Sequence, residues 1–444
     1  MENQLTSGSV WKKLILFAIP VFGANLLQAL YGTVDLIIVG QFASKAAVSA
    51  VSTGSMTMQT ITGVVIGLTM GCTVLLGQNI GKEDYKASSR TIGSSVALFV
   101  ITGIILSILI FLFALPISNL MNAPEEALQA TASYIRICGM GSICIVLFNF
   151  ISGMFRGIGN SKTPLVLMAI ACVGNIIGDL ILVGLFHMGA SGAALATVLA
   201  QLLSVISAIL IIKKIGFGFE VVKEELRVAK KETLLVLKYG LPIAAQELLT
   251  GISFMVILAI LNTFGLVASA GVGIAEKICG LMFIVPGAIM SAVSVFSAQN
   301  VGAGKLARAK ESMFAGMLIT FVVGLCMFAI SFFQGVQISG FFSNDLDVCL
   351  ASADYLKSYS IDCIIVGFNF CMMGYLNGLG RTGFVALQGI LSTFLVRIPV
   401  SYFMSKIAGV TLFQIGFATP MATVFAIAIT VIYLKQIQKQ KKIV

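Results

Sequence analysis

Charge is scarce in this chain: Asp, Glu, Lys and Arg make up only 10% of its 444 residues, too few to cover the surface of a water-soluble domain of that length. One histidine, His187, is present. Alone it cannot build a metal centre or the base-and-nucleophile arrangement of a hydrolase. The nine cysteines include no Cys-x-x-Cys pair and lie almost entirely inside apolar runs. That excludes a disulfide scaffold or zinc ribbon, and they read as small apolar residues in a reducing context. Acids are fewer than bases, 18 against 28.

Hydrocarbon is what the chain has instead. It is 58% hydrophobic, its mean hydropathy is +1.03, and apolar runs of about twenty residues, the length of a membrane span, recur throughout. Twelve spans are expected, at 14–39, 46–76, 92–115, 132–155, 164–186, 190–212, 239–262, 266–296, 312–333, 353–376, 384–405 and 411–434. The expected fold is therefore an all-α integral membrane protein. No cleavable signal pattern precedes the first span, and the start with Lys12 and Lys13 reads as a retained anchor.

The halves echo each other. GQNIGKEDYKA at 77–87 returns as AQNVGAGKLAR at 298–308, FNFISGMFRGIG at 148–159 returns as FNFCMMGYLNGLG at 368–380, and Pro20 returns as Pro242. Matches at a near-constant offset mark an internal duplication. The expected organisation is an amino-terminal six-helix lobe at 1–212, a cytoplasmic basic linker at 213–238, a pseudo-symmetric six-helix lobe at 239–434 and a basic cytoplasmic tail at 435–444. Six spans per lobe is an even number, so the repeats run parallel about an axis along the membrane normal. The linker reads as an amphipathic helix lying on the inner surface as a tether.

Orientation follows from Lys and Arg. One set of loops and tails carries Lys12, Lys82, Arg156, the linker cations, Lys310 and the tail residues Lys435, Lys439, Lys441 and Lys442; the other carries Lys45 and Lys406 with acids such as Glu125 and Asp345. Both termini are placed in the cytoplasm. This bias explains the +10 net charge through an anionic leaflet, with no need for nucleic acid.

Ionisable groups inside hydrocarbon cost a few kcal/mol at least, so each needs a partner or a purpose. Asp35 lies in the first span, Asn175 and Asp179 share one face of the fifth, and Thr197 lies in the sixth. At 1.5 Å per residue these four reach a similar depth, roughly 6–12 Å below the outer surface. They could be hard oxygen ligands for Na⁺, or two carboxyls sharing a proton because like charges so close cannot both ionise. The second half carries Glu247 in the seventh span, Glu276 and Lys277 in the eighth, and Asp362 in the tenth. Glu276 and Lys277 point about 100° apart on a helix, so Lys277 is a candidate partner for Glu247 or Asp362 instead. Arg397 in the eleventh span reads as structural, reaching the inner interface by snorkelling. Pro20 and Pro242 each remove a ladder bond and permit a bend, and Pro286 raises the same question.

VDLIIVG at 34–40, QNIGKEDYKA at 78–87, FRGIGNSKTP at 155–164 and their second-half echoes resemble the multidrug and toxic compound extrusion (MATE) family of the MOP flippase superfamily. The resemblance covers essentially the whole chain. It implies a twelve-helix antiporter that exports drugs using Na⁺ or H⁺. It also implies an amino-lobe cation site, holding Na⁺ in the sodium-driven case, at Asp35, Asn175, Asp179 and Thr197, and a carboxy-lobe site at Glu247 and Asp362. The chain departs from the family at Asn160, where an acid is common, and at Arg381-Thr382-Gly383, which replaces a second Lys-Thr-Pro turn.

The reading is a cation-coupled multidrug efflux antiporter working by alternating access. It is not an enzyme, has no resident cofactor, and exports small organic, often cationic, compounds as a monomer in a bacterial-type inner membrane. A lipid-linked saccharide flippase is the rival within the superfamily, disfavoured by the mainly acidic buried charge. An intramembrane enzyme lacks a catalytic constellation, and a channel would need no exchange ion.

Overall fold

In the computed structural model residues 5–441 are described, apart from the side chains of Ile215, Gln440 and Lys441; Lys442 of the expected tail lies outside the described residues. The described residues form helices and no strand. Eleven helices are long and apolar enough to cross a membrane: Val10–Phe42, Lys45–Gly81, Tyr85–Leu120, Lys162–Leu185, Gly189–Lys214, Lys230–Asn262, Leu266–Gly302, Leu306–Phe333, Leu346–Gly378, Thr382–Ser405 and Leu412–Lys439. The remaining expected span, fourth in order, is a broken one. Glu125–Met140 and Ser142–Ile158 pass the same test together and meet at 52°. With that pair counted once, the spans among the described residues number twelve.

The elements follow from local chemistry. Ser44 opens the second span by accepting a hydrogen bond from the Ala47 amide, Asp84 opens the third by accepting from Ala87, and Asp345 opens the tenth by accepting from Asp347 and Val348. Each satisfies amides that a helix start leaves unpaired. Several hydroxyls within the spans are satisfied inside their own helix. Thr69, Ser118, Thr131 and Thr430 donate to the carbonyl four residues back. The break in the fourth span falls at Gly141, where a Cβ would stand 2.3 Å from the Val198 side chain. Only glycine lets the bend seat against the sixth span. Aliphatic side chains such as Ile105, Ile108 and Leu112 cover the outside of the third span, as a lipid-facing surface requires.

Pro20, Pro116 and Pro242 lie in the interior of their helices. The eighth span is interrupted at Phe283, between helices Leu266–Met282 and Ile284–Gly302. Pro286 has no N–H to offer the Met282 carbonyl, which accounts for the interruption.

The chain divides into two compact units. Among the described residues, the first comprises 5–7, 16–244 and 299–304, and the second comprises 8–15, 245–298 and 305–441. The division thus falls inside the first and seventh spans, within about one turn of Pro20 and Pro242. In the first unit the second span packs against both limbs of the fourth, and the fifth packs along the sixth. Its core runs through Leu76, Phe99, Met154 and Phe155. In the second unit the tenth span is the centre, packed against the eighth, ninth and twelfth, with Tyr355, Leu356 and Tyr359 in its core.

The linker is not the amphipathic helix expected of it. Lys213–Ile215 end the sixth-span helix and Lys230–Lys238 begin the seventh; between them Gly216 and Gly218 have positive φ and Lys223–Glu225 form a single 3₁₀ turn. The segment is strapped to the third span instead. Ser94 accepts from the Ala229 amide and donates to its carbonyl, Ser89 accepts from Val222, and Phe219 stacks on Tyr85. Arg90 bridges Glu225 at 3.2 Å and Glu232 at 3.0 Å.

Candidate functional site

The first unit gathers four of the sequence-predicted residues into one place. Asp35 from the first span is buried, and Asn175 and Asp179 from the fifth are fully enclosed. The carboxyl groups of Asp35 and Asp179 face each other. Asn175 lies one turn before Asp179 on the same helical face. Thr197 enters from the sixth span opposite the Tyr31 hydroxyl, and that hydroxyl in turn lies within the field of both acids. The wall is completed from the fourth span by Tyr134 and Cys138.

Two local features set this geometry. The α-helix of the fifth span ends at Asp179 and continues as a π-helix, Leu180–Leu185, in which the Phe186 amide donates to Ile181. Such wider turns concentrate at functional positions because they re-aim the residues beside them. Next to Asp179, a Cβ on Gly178 would meet the Ala196 Cβ at 2.9 Å. The missing side chain brings the fifth and sixth spans close enough for Asp179 and Thr197 to share a site.

The oxygens here have no hydrogen-bond partner among the protein's own atoms. They are the Tyr31 hydroxyl, Asp35 Oδ1, both Asp179 carboxyl oxygens, the Asn175 amide and the Thr197 hydroxyl. Each such buried atom costs about 1–3 kcal/mol. Two unit charges about 4 Å apart repel by about 4 kcal/mol even at an effective dielectric of about 20. Among the described residues no basic side chain acts on either carboxyl. The arrangement is chemically incomplete without positive charge, and its donors suit either a hard monovalent cation or a proton shared between carboxyls. No three His, Cys, Asp or Glu side chains converge among the described residues, so a tightly held transition metal is not what it offers. Sequence reasoning passes over Tyr31, although it sits four residues before Asp35 and so on its face.

The second unit does not repeat this. Asp362 is buried in the tenth span, but Glu247 is exposed on the seventh and is not brought against it. Lys277 is exposed and serves neither acid; the cation that acts on Glu276 and Asp362 is Arg397. Nor does Arg397 snorkel. It is 7% exposed, its Nη2 donates to the Tyr359 hydroxyl at 2.9 Å, and its guanidinium lies 4.2 Å from the centre of the Phe254 ring.

Comparison with known proteins agrees with this architecture. The sequence profile of the MatE family matches twice, over residues 20–181 and 242–403. The chain is 23% identical over 432 residues to "Probable multidrug resistance protein YoeA" of Bacillus subtilis (strain 168), covering 96% of this chain and 93% of that protein. It is 24% identical over 407 residues to "Multidrug export protein MepA" of Staphylococcus saprophyticus, covering 91% and 89%. Among solved structures, one described as "Crystal structure of MATE in complex with MaL6" superposes with a TM-score of 0.92 at 20% identity, covering 99% of both chains. With both halves matched in order, this chain belongs to the MatE family.

Proposed function

We propose that the protein is a multidrug efflux antiporter driven by Na⁺ or H⁺, with its coupling site at Asp35, Asn175, Asp179 and Thr197. The observation that carries this is the facing pair of buried carboxyls, Asp35 and Asp179, which has oxygen donors around it and no counter-charge. A cation or proton arriving from outside neutralises the pair, and an organic cation competes for the same negative charge. Release outward then follows from exchange. The names of the multidrug relatives support small organic compounds as cargo. Pro20, near which the compact units divide in the first span, lies on the same helix as Asp35 and is placed to convert neutralisation into a bend. The basic bias of alternate loops puts both termini in the cytoplasm of a bacterial-type inner membrane, and the transporter acts as a monomer.

The test is efflux of ethidium from proteoliposomes under separately imposed Na⁺ and H⁺ gradients. One gradient drives efflux and its absence leaves only leak; efflux indifferent to both contradicts the reading. Orientation is checked with a tag inserted at Lys223, which is accessible from the cytoplasm alone if the assignment holds and from outside if it is inverted.

A further inference from the structure

The second unit sets a buried guanidinium, that of Arg397, among its acids, whereas no basic side chain among the described residues acts on the acid pair of the first unit. In the first unit, the first and fifth spans bring together Asp35 and Asp179. Their counterparts in the repeat are the seventh and eleventh spans, and these meet through Phe254 and Arg397. Counted from Pro20 and Pro242, Phe254 falls opposite Gly32, between Tyr31 and Asp35. Counted from the turns Lys162-Thr163-Pro164 and Arg381-Thr382-Gly383, Arg397 falls opposite Gly178, beside Asp179. The repeat thus carries a guanidinium one residue from the position that matches the Asp179 carboxyl.

Its surroundings are arranged for a resident charge. One face of the guanidinium lies over the Phe254 ring and Nη2 is held by Tyr359. Two intramembrane acids of this unit, Glu276 from the eighth span and Asp362 from the tenth, lie in its field, whereas Glu247 on the seventh does not. No ion pair within 4 Å joins Arg397 to either acid among the described residues. Arg397 Nε, Glu276 Oε1 and Asp362 Oδ1 are buried without a protein partner. The acids are thus answered by a field without being closed off by contact. A guanidinium is always charged, so this positive charge does not come and go during a cycle.

We propose that Arg397 is a built-in counter-cation that keeps Glu276 and Asp362 from serving as a second coupling site, so that these two acids add no cation to the one exchanged at the first unit. This rests on the coupling site assigned above. It makes Arg397 a positioning residue for coupling stoichiometry, since it acts through Glu276 and Asp362 and not on cargo.

The experiment is the cation-concentration dependence of ethidium efflux in proteoliposomes, run with whichever of Na⁺ and H⁺ drives the intact protein. The expected result for the unaltered chain is first order in that cation. Asp362→Asn stays first order, with a half-saturating concentration unchanged within about twofold. Arg397→Gln, checked for folding by monodispersity and thermal unfolding, becomes second order as the freed acids take up a second cation, and Arg397→Gln/Asp362→Asn returns to first order. A merely structural arginine would change stability and leave the order alone. Second-order dependence in the unaltered chain, loss of coupling in Asp362→Asn, or first order in folded Arg397→Gln each overturns the proposal. Should Arg397→Gln fail to fold, the order in the unaltered chain and the behaviour of Asp362→Asn still decide. Coupling that persists in Asp179→Asn overturns the coupling-site assignment itself. First order lost in Asp179→Asn but not raised in Arg397→Gln overturns this inference alone.

Discussion

Asp35 on the first span and Asp179 on the fifth present their carboxyl groups to each other inside the first unit, and no basic side chain among the described residues stands against them. Everything proposed for coupling follows from that pair. Two carboxylates cannot both stay ionised there unless a positive charge joins them, so occupancy and net charge are linked.

Tyr31 extends this site. Its hydroxyl faces Thr197 and has no closed hydrogen bond. If it serves as an oxygen donor, Tyr31→Phe retains efflux but raises the half-saturating cation concentration, by about two- to tenfold for one neutral donor. Cation-titrated efflux reads this directly. An unchanged titration places Tyr31 in the wall alone.

Gly178 holds the fifth and sixth spans together beside Asp179. A Cβ there would contact Ala196 at 2.9 Å, so Gly178→Ala forces the spans apart at an overpacking cost of about 1–3 kcal/mol. Thermal unfolding in detergent should shift down, and coupling should weaken more than it does for Tyr31→Phe, because Thr197 moves away from Asp179. A variant with intact stability and coupling would show that the close approach is dispensable.

Much of this is legible in the sequence, and the failures have physical causes. A carboxyl inside an apolar run is anomalous wherever it occurs, so the sequence alone singles out Asp35, Asp179 and Asp362. Tyr31 does not stand out in the same way, because an aromatic residue in a span is ordinary and only its spacing from Asp35 distinguishes it. The bend at Gly141 is hidden because glycine is common in spans and the contact that demands it, Val198, is distant in sequence. The roles expected of Lys277 and Arg397 fail for a related reason. Which face of a helix turns inward depends on its neighbours, so sequence offers Lys277 as the partner of Asp362 where the cation that acts on it is Arg397. The charge of the linker suggests a helix, although Gly216 and Gly218, both at positive φ, argue against it.

That linker yields a prediction of its own. Arg90 is the hub of two ion pairs, to Glu225 and Glu232, with Arg90 and Glu225 partly exposed and Glu232 buried. Arg90→Ala should lower stability by about 1–2 kcal/mol in low salt, and the difference from the unaltered protein should shrink as salt screens the exposed part. Unfolding measured at two ionic strengths is sufficient. A salt-independent loss would mean that packing of the arginine stem, and not its charge, holds the strap.

Pro20 cannot donate to the Leu16 carbonyl, so the first span has a missing ladder bond below Asp35. Pro20→Ala restores it. Membrane expression should be preserved while gradient-driven exchange slows, because the helix then resists a change of bend. Normal exchange in the folded variant would leave Pro20 as a fixed kink.

The most direct measurement compares Asp35→Asn, Asp179→Asn and the double variant in gradient-driven ethidium efflux, at matched amounts of membrane-inserted protein. Each single variant should reduce efflux to leak. The double variant should be little worse than either, since groups that act as one unit are not additive. Asp362→Asn should retain coupled efflux. Normal efflux in both Asp35→Asn and Asp179→Asn, with efflux lost in Asp362→Asn, would place coupling in the second unit and contradict the assignment of the site to Asp35 and Asp179.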